Sequence, residues 1–221
     1  MRRIALGAWA LIAATFAGAA DLRPLANGDS IVGMGVYTGQ AADGSLTFSK
    51  IGEVAYTLAI DAAGLRRYVD RNGSPFWIYD RNFRRMLFQG RELPPEEQFE
   101  LLPPEGKIEP GMRWEVPLHQ TRAVCGMAEA RFTAVATRGP EVTLVVNATP
   151  MSVPTVRIDY EAVLRCGQRD SFLRTMDVLF SPALHEIVHM NTVNYDGVER
   201  GPLKLGDQGR GWRLQSISMA P

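Results

Sequence analysis

Five consecutive residues carry the only motif in this chain that indicates a specific chemistry. His185, Glu186 and His189 fit the pattern H-E-x-x-H. On an α-helix this spacing brings both histidines to one face, where they can hold a zinc ion while the glutamate acts as a general base. The motif gives one functional alternative, a secreted zinc-dependent metallopeptidase with His185 and His189 as metal ligands and Glu186 as the catalytic residue.

Zinc binding by this motif depends on its secondary structure. Residues i and i+4 lie about 6 Å apart on a helix but about 13 Å apart along a strand, so a strand cannot place both histidines on one zinc ion. The preceding residues, SFLRTMDVLF, have the composition of a strand, and the residues after His189 are β-branched or turn-forming. We therefore predict a β-hairpin with a Ser-Pro turn, in which His185, Ile187 and His189 share one face. This interpretation assigns no catalytic residue and no cofactor.

The first twenty residues have the composition of a cleaved signal peptide. Arg2 and Arg3 precede an uncharged apolar run from Ile4 to Phe16, and small residues follow it. An apolar run of about 13 to 17 residues is short for a spanning helix, which needs about 20. We expect residues 1–20 to be removed and the protein to be exported, either to a periplasm or to the exterior. No second long apolar run follows, so we expect no transmembrane segment in the mature chain.

Export determines how the two cysteines, Cys125 and Cys166, are interpreted. An oxidising compartment favours a disulfide between them, and neither belongs to a C-x-x-C redox pair. Closing a loop of about forty residues stabilises a fold by about 4 kcal/mol in the chain-entropy model. The alternative is a redox or nucleophilic thiol. We predict a structural disulfide.

The charge balance argues against nucleic acid as a partner. The chain has 24 basic and 24 acidic residues, and removal of Arg2 and Arg3 with the leader leaves 22 against 24, a net charge of −2. Such a protein lacks the basic surface that attracts a phosphate backbone. We expect the partner to be a small molecule, a lipid or an envelope protein.

Arginines and aromatic residues occur together between positions 66 and 85. Forked guanidinium donors beside exposed aromatic faces can bind anionic headgroups, glycans or an acidic partner. The alternative is a solvated sheet face over a core that uses Phe76 and Ile78. The residues of this candidate binding surface are Arg66, Arg67, Arg81, Arg84, Arg85, Trp77 and Tyr79.

The elements that must position these residues are strands. From Ser30 to Gln89, short apolar runs alternate with the Gly, Asn, Asp or Pro residues that are typical of tight reversals. Reversals this short join antiparallel strands, because a parallel connection needs a longer crossover. Gly33 and Gly35 lie inside one run and indicate a bulge or close packing. The pattern predicts an antiparallel meander.

The segment 93–111 interrupts the pattern with prolines, which cannot donate to a central ladder. Phe99, Leu101 and Leu102 within it predict a connection that lies over the core rather than a free linker. Strand patterns then resume, and residues 156–166 alternate between apolar and polar, which indicates one buried face. We predict an all-β fold with few short helices, an antiparallel meander forming a sandwich or curled half-barrel. It forms a single domain over residues 21–221.

Two short segments carry a resemblance. Gly111 to Val116 opens a strand after the proline-rich connection, and Leu179 to Leu184 places an aromatic-Ser-Pro-x-Leu element before another strand. Over residues 100–215 the chain resembles uncharacterised bacterial periplasmic all-β domains of unknown function. The resemblance implies that the aromatic-Ser-Pro-x-Leu element is a turn between strands. It assigns no catalytic residue.

These features favour an exported non-enzymatic β-sheet protein. It would bind a ligand or an envelope partner through a concave face or through the arginine and aromatic hairpins. Besides the zinc peptidase, the alternative is a structural envelope protein whose sheet edges pair with neighbours.

Overall fold

The structure, a computed structural model, describes residues 22–40, 46–88, 90–95, 98, 100–103, 106–119, 129–166, 169–194 and 209–221. The predicted signal peptide and Cys125 of the predicted disulfide lie outside the described residues. Within these residues, no helix has the length and apolar character that crossing a membrane requires.

The described part of the chain forms fourteen β-strands. Their bounds are β1 Ser30–Gln40, β2 Leu46–Ile60, β3 Arg66–Val69, β4 Pro75–Tyr79, β5 Arg85–Phe88, β6 Arg91–Glu92, β7 Arg113–His119, β8 Glu129–Arg138, β9 Val142–Val146, β10 Thr149–Val153, β11 Val156–Cys166, β12 Arg169–Ser181, β13 Glu186–Asn194 and β14 Gly209–Ser218.

These strands form one sheet in the order β6-β5-β4-β3-β2-β1-β14-β13-β12-β11-β8-β7, and the β9–β10 hairpin attaches to β14 through β9. Neighbours in this order are antiparallel, whereas β9 and β14 pair in parallel. Most neighbours are consecutive in sequence, as in a meander, and β6 and β7 are the two ends of the order. The predicted all-β antiparallel fold is confirmed.

Three hairpin turns in the first half are built in the same way. Each begins with an aspartate whose Oδ1 accepts hydrogen bonds from the backbone N–H groups two and four residues later, at 2.8–3.0 Å. These aspartates are Asp61, Asp70 and Asp80. Their side chains satisfy backbone donors that have no partner in the sheet, which explains why the predicted reversals form here.

The residue three positions after each aspartate has a left-handed backbone. At Gly64 and Gly73 the φ angles are 80° and 82°, but the third position is Phe83, with φ at 55°. A bulky residue in this region costs about 1–3 kcal/mol and persists only where its surroundings hold it. Phe83 is completely buried and packs edge-on against Phe180. Core packing therefore holds the third turn.

The sheet curls until strands distant in its order touch across the concave face. Trp77 of β4 and Trp212 of β14 have ring centroids 5.5 Å apart, although three strands separate β4 from β14. In a flat sheet, four strand spacings span about 19 Å. The sheet is therefore strongly curved, and its concave face contains the core.

The connection between the two halves of the sheet packs on this core, as the sequence predicts. Leu101 and Leu102 are each 1% exposed. Their backbone N–H groups donate to the carbonyls of Phe83 and Asn82, and the Tyr160 hydroxyl donates to the carbonyl of Leu101. The connection thus bridges the turn after β4 and strand β11.

The alternation predicted in β11 is confirmed where side chains are described. Val156, Ile158 and Tyr160 are buried, whereas Arg157 and Asp159 are exposed. One face of this strand therefore lies against the core and the other faces solvent.

Candidate functional site

The H-E-x-x-H segment is not helical: Glu186 to His189 lie on a strand, as predicted, whereas His185 lies in the turn before it. Strand β13 begins at Glu186 and pairs with β12, and residues 182–185 form the turn between them. The buried Ser181 hydroxyl accepts a hydrogen bond from the Leu184 N–H at 3.3 Å, and His185 has a φ of 47°. The helix that zinc coordination by this motif requires is therefore not formed, so the arrangement does not fit that of a zinc peptidase.

The predicted common face for His185, Ile187 and His189 is wrong, because the hairpin contains a bulge. Ile187 pairs with Phe180, and His189 pairs with Leu179, which leaves Val188 as an extra residue. One extra residue reverses the alternation of a strand, so Ile187 and His189 lie on opposite faces.

The two histidines have different surroundings. The His185 ring packs edge-on against Phe83 and Phe180, with centroids 5.4 and 5.5 Å away. Burial and, to a smaller extent, the charges of Arg213 and Arg157 together lower the pKa of His189 to about 4. Within the residues that the structure describes, no three His, Cys, Asp or Glu side chains group to hold a metal ion. Zinc binding stays a prediction of the sequence.

The Glu186 carboxylate is buried, at 2% exposure, and is engaged by three donors. Arg66 Nη2 lies 2.8 Å from Oε2, and the Tyr68 hydroxyl donates to both carboxylate oxygens at 2.8 and 2.9 Å. The backbone N–H of Ile187 donates to Oε1 at 2.9 Å. All of these donors belong to the protein, so the hydrogen-bonding capacity of this carboxylate is used within the fold.

Arg66 and Tyr68 complete what we call the ionic cluster, which consists of Arg66, Tyr68, Phe83 and Glu186. The Arg66 guanidinium lies over the Phe83 ring, 5.0 Å from its centroid. Burial raises the pKa of Tyr68 well above its usual value, and the Glu186 charge raises it further. For Arg66, burial acts to lower the pKa, but Tyr68 and Glu186 outweigh it and the pKa is raised. The cluster joins β3 to β13 across three intervening strands.

The predicted arginine and aromatic surface is divided by the fold. Arg66, Trp77 and Tyr79 are buried, so the core on β4 uses Trp77 and Tyr79, in place of the Phe76 and Ile78 expected from the sequence. The remaining residues of that set are Arg67, Arg81, Arg84 and Arg85, which the structure does not bury.

These four arginines have separate partners. Arg67 pairs with Asp61 at 2.9 Å, and Arg84 with Asp80 at 3.1 Å. Arg85 lies over the Phe88 ring, 4.9 Å from its centroid, and the Arg81 carbonyl accepts a hydrogen bond from His185. The described contacts therefore pair the side chains of Arg67, Arg84 and Arg85 within their own hairpins, whereas Arg81 contributes its backbone carbonyl.

A second region of the concave face has small residues where the rest of the sheet has large ones. Gly33 pairs with Val54, and Gly35 pairs with both Gly52 and Trp212, so these positions share the concave face with Ile31 and Tyr56. The Trp212 indole packs directly over Gly33, where an added Cβ would lie closer than 3.0 Å to the ring. The close packing predicted for these glycines is confirmed.

The floor beside this indole is open among the described residues. A Cβ built at Gly52 would meet no atom within 4 Å. Val54 has the same alternation as the buried Tyr56 and Leu58, yet it is 37% exposed. We call this region the indole site, formed by Gly33, Gly35, Gly52, Val54, Trp77 and Trp212.

The two indoles of this site are unusual in their hydrogen bonding. Trp77 and Trp212 are 9% and 7% exposed and pack edge to face at 89°. Both Nε1 atoms are buried and have no hydrogen-bond partner within the described part of the chain. Buried donors are paired in most proteins, so these atoms require an explanation, as does the Nε1 of Trp114 outside this site. Two buried N–H groups of the indole site thus lie next to apolar surface.

Comparisons with known proteins assign neither a family nor a function. No family model matches the chain, and no curated protein matches it. The solved structure of YmcC, a hypothetical lipoprotein from Escherichia coli, is 9% identical with a TM-score of 0.41, covering 86% of this chain and 85% of that chain.

Two further solved structures are similar at the same low level. A protein assigned as a lipoprotein from Parabacteroides distasonis is 9% identical with a TM-score of 0.37, covering 89% and 97% of the two chains. A protein assigned as exported, with a YmcC-like fold, from Bacteroides fragilis is 14% identical with a TM-score of 0.34, covering 90% and 99%. None of these names states an activity.

Proposed function

We propose that this chain is an exported, non-enzymatic binding protein that holds an amphiphilic small molecule at the indole site. The ligand combines an apolar body with an oxygen that accepts hydrogen bonds, as in a lipid or a fatty acid. The predicted leader supports export, to a periplasm or to the exterior.

The observation that carries this proposal is the exposure of apolar surface on the core side of the sheet. Val54 lies in the same alternation as the core residues Tyr56 and Leu58, but the space above neighbouring Gly52 is open among the described residues. Burying a valine side chain contributes about 1.5–3 kcal/mol. An apolar ligand that covers Val54 and Gly52 gains free energy that the free protein leaves unused.

The unpaired indole donors support the polar part of the ligand. A buried donor without a partner costs about 1–3 kcal/mol. A carboxylate or carbonyl oxygen that accepts from Nε1 of Trp77 or Trp212 recovers this cost. In an edge-to-face pair, one N–H can instead point to the π face of its neighbour, a weaker contact. Such a contact would partner only one of the two indole N–H groups and would leave the other for the ligand.

The test fills the site with a side chain. We expect Gly52→Leu to weaken binding of a fluorescent fatty acid at least tenfold, because the new side chain occupies the open floor. Ala55→Leu is the matched control, since it introduces the same side chain at an exposed position of the same strand. Fluorescence titration measures both affinities. Undetectable binding by the wild-type chain, or equal affinity of the two variants, would contradict the proposal.

A further inference from the structure

Strand β2 has a long edge to which no other described strand is hydrogen-bonded. It runs from Leu46 to Ile60, but β3 pairs only with Thr57 to Ile60. On that side, no described strand pairs with residues 46–56, which we call the β2 edge. Residues 51–55 are all exposed, and Ile51 is 51% exposed. A free edge that also exposes apolar side chains is a template for another strand.

The ladder with β1 fixes which backbone groups of β2 face outward. The Leu58 N–H donates to the Asp29 carbonyl at 2.8 Å, so Leu58 points its backbone groups at the β1 side. In an antiparallel pair this direction alternates with a period of two. The backbone N–H and C=O groups of Glu53 and Ala55 therefore point away from β1, toward the free side.

A bulge reverses this alternation further along the strand. Gly35 pairs with Gly52, and Val36 pairs with Lys50, so Ile51 is an extra residue. Beyond it, the outward-facing positions are 50, 48 and 46. The complete outward set on the β2 edge is thus 46, 48, 50, 53 and 55.

This set is self-complementary about the point between Ile51 and Gly52. When a second β2 edge approaches in the antiparallel direction, position 53 meets 50 and position 55 meets 48. Every pair then joins two outward-facing residues, as hydrogen bonding requires, and yields about eight backbone hydrogen bonds. The bulge leaves two residues, 51 and 52, between the outward-facing positions 50 and 53. In this register it lies opposite the same bulge of the other strand.

We propose that the β2 edge pairs with the β2 edge of a second copy of this chain, giving a two-fold dimer with a continuous sheet. In this register Lys50 lies opposite Glu53 of the second copy, and Glu53 opposite its Lys50. These are the only charged residues in the sequence of the edge, and the pairing sets opposite charges across the interface twice. A strand without a matching bulge loses register at the gap, which is why a second copy fits best.

Strand β7, at one end of the sheet, provides an internal comparison with the β2 edge. Edge strand β7 carries Pro117, which has no backbone N–H to donate, and alternates charged residues at Arg113 and Glu115. These features are typical of edges that resist pairing. Among the described strands, β2 therefore offers a longer free edge with a self-matching register.

The first test removes one outward donor. In Ala55→Pro the ring replaces the N–H on the free side and leaves the donors to β1 in place. We expect wild type to change from monomer to dimer between about 1 and 100 µM in sedimentation equilibrium. Ala55→Pro should weaken dimerisation at least tenfold, and Ala55→Thr, which keeps the N–H, should dimerise like wild type. A wild type that stays monomeric, or a dimer that Ala55→Pro leaves unchanged, would overturn the proposal.

The second test uses the charges and does not alter the backbone. Glu53→Lys and Lys50→Glu should each weaken dimerisation about tenfold at low salt, because like charges then face each other. The double variant Lys50→Glu/Glu53→Lys should restore it. Hydrogen exchange at the Glu53 and Ala55 amides should slow in the dimer. Failure of the double variant to recover, with no added protection of these amides, would place the contact elsewhere.

Discussion

The ionic cluster and the indole site lie on the same concave face, and both contain buried polar groups. In the ionic cluster, Glu186 accepts from Arg66, Tyr68 and the Ile187 backbone. In the indole site, the Nε1 atoms of Trp77 and Trp212 have no partner within the described residues. A fully paired buried group specifies the fold, whereas unpaired donors beside open apolar surface are typical of a binding site.

The two regions also differ in how the backbone supports them. Phe83 keeps a positive φ because the core packs around it, which fixes the floor beneath Arg66. At the indole site, glycines keep the sheet surface flat enough for Trp212 to lie on it. The strained turn at Phe83 supports the contacts that hold the sheet in its curled form. The glycines instead leave space on the concave surface of the sheet.

The largest expected effect breaks the ionic cluster. Glu186→Ala leaves the Arg66 cation buried without its partner, so we expect the free energy of unfolding to fall by about 3–5 kcal/mol. Urea denaturation followed by circular dichroism measures this loss. The double variant Arg66→Met/Glu186→Leu should recover most of it, because no uncompensated charge remains. A small loss of unfolding free energy in Glu186→Ala would show that the ion pair is solvated and that the cluster does not hold β3 against β13.

A smaller effect is expected at the indole site. Gly33→Ala places a Cβ against the Trp212 ring, and we expect a loss of about 1–3 kcal/mol with a shifted tryptophan emission spectrum. Gly52→Ala is the matched control. Its Cβ enters open space, so stability should stay constant or rise by about 0.5 kcal/mol. Equal losses in both variants would mean that the open floor at Gly52 does not exist in solution.

Much of this arrangement could be predicted from the sequence, because it depends on local chemistry. Asp61, Asp70 and Asp80 cap turns through their own neighbouring backbone groups. The Ser-Pro turn and the β-branched residues after His189 indicated a strand in place of a helix. These features need no knowledge of distant contacts.

The rest depends on contacts that the sequence does not encode locally. Arg66 and Glu186 are 120 positions apart and meet only because the sheet curls. The bulge at Val188 reverses which side chains of β13 face the core. In β4 the alternation is regular and Trp77 and Tyr79 face the core, but apolar side chains lie on both faces of this strand, so the sequence alone does not determine which face is buried.

A third prediction concerns a titratable group outside both regions. The pKa of His189 is about 4 in the folded protein and about 6.5 when unfolded. Below pH 6.5 the unfolded chain therefore binds a proton that the folded chain does not, and stability falls as the pH decreases toward 4. Since the ring is partly exposed, we expect a loss on the order of 1 kcal/mol. Thermal melts across this range should show a shallower slope for His189→Gln than for wild type. An unchanged slope would contradict this assignment.

The smallest expected effect is that of zinc, and it tests the strand geometry of β13 against the H-E-x-x-H alternative. A ligand at 100 times its Kd stabilises a protein by about 2.7 kcal/mol, so a zinc site of useful affinity raises the Tm visibly. Because Glu186 to His189 lie on a strand and His185 lies in the turn before it, the helical spacing that brings both histidines to one zinc ion is not formed, and we expect excess zinc to leave the Tm unchanged within about 1 °C. A rise that disappears in His189→Ala but persists in His119→Ala would instead establish a metal site on β13.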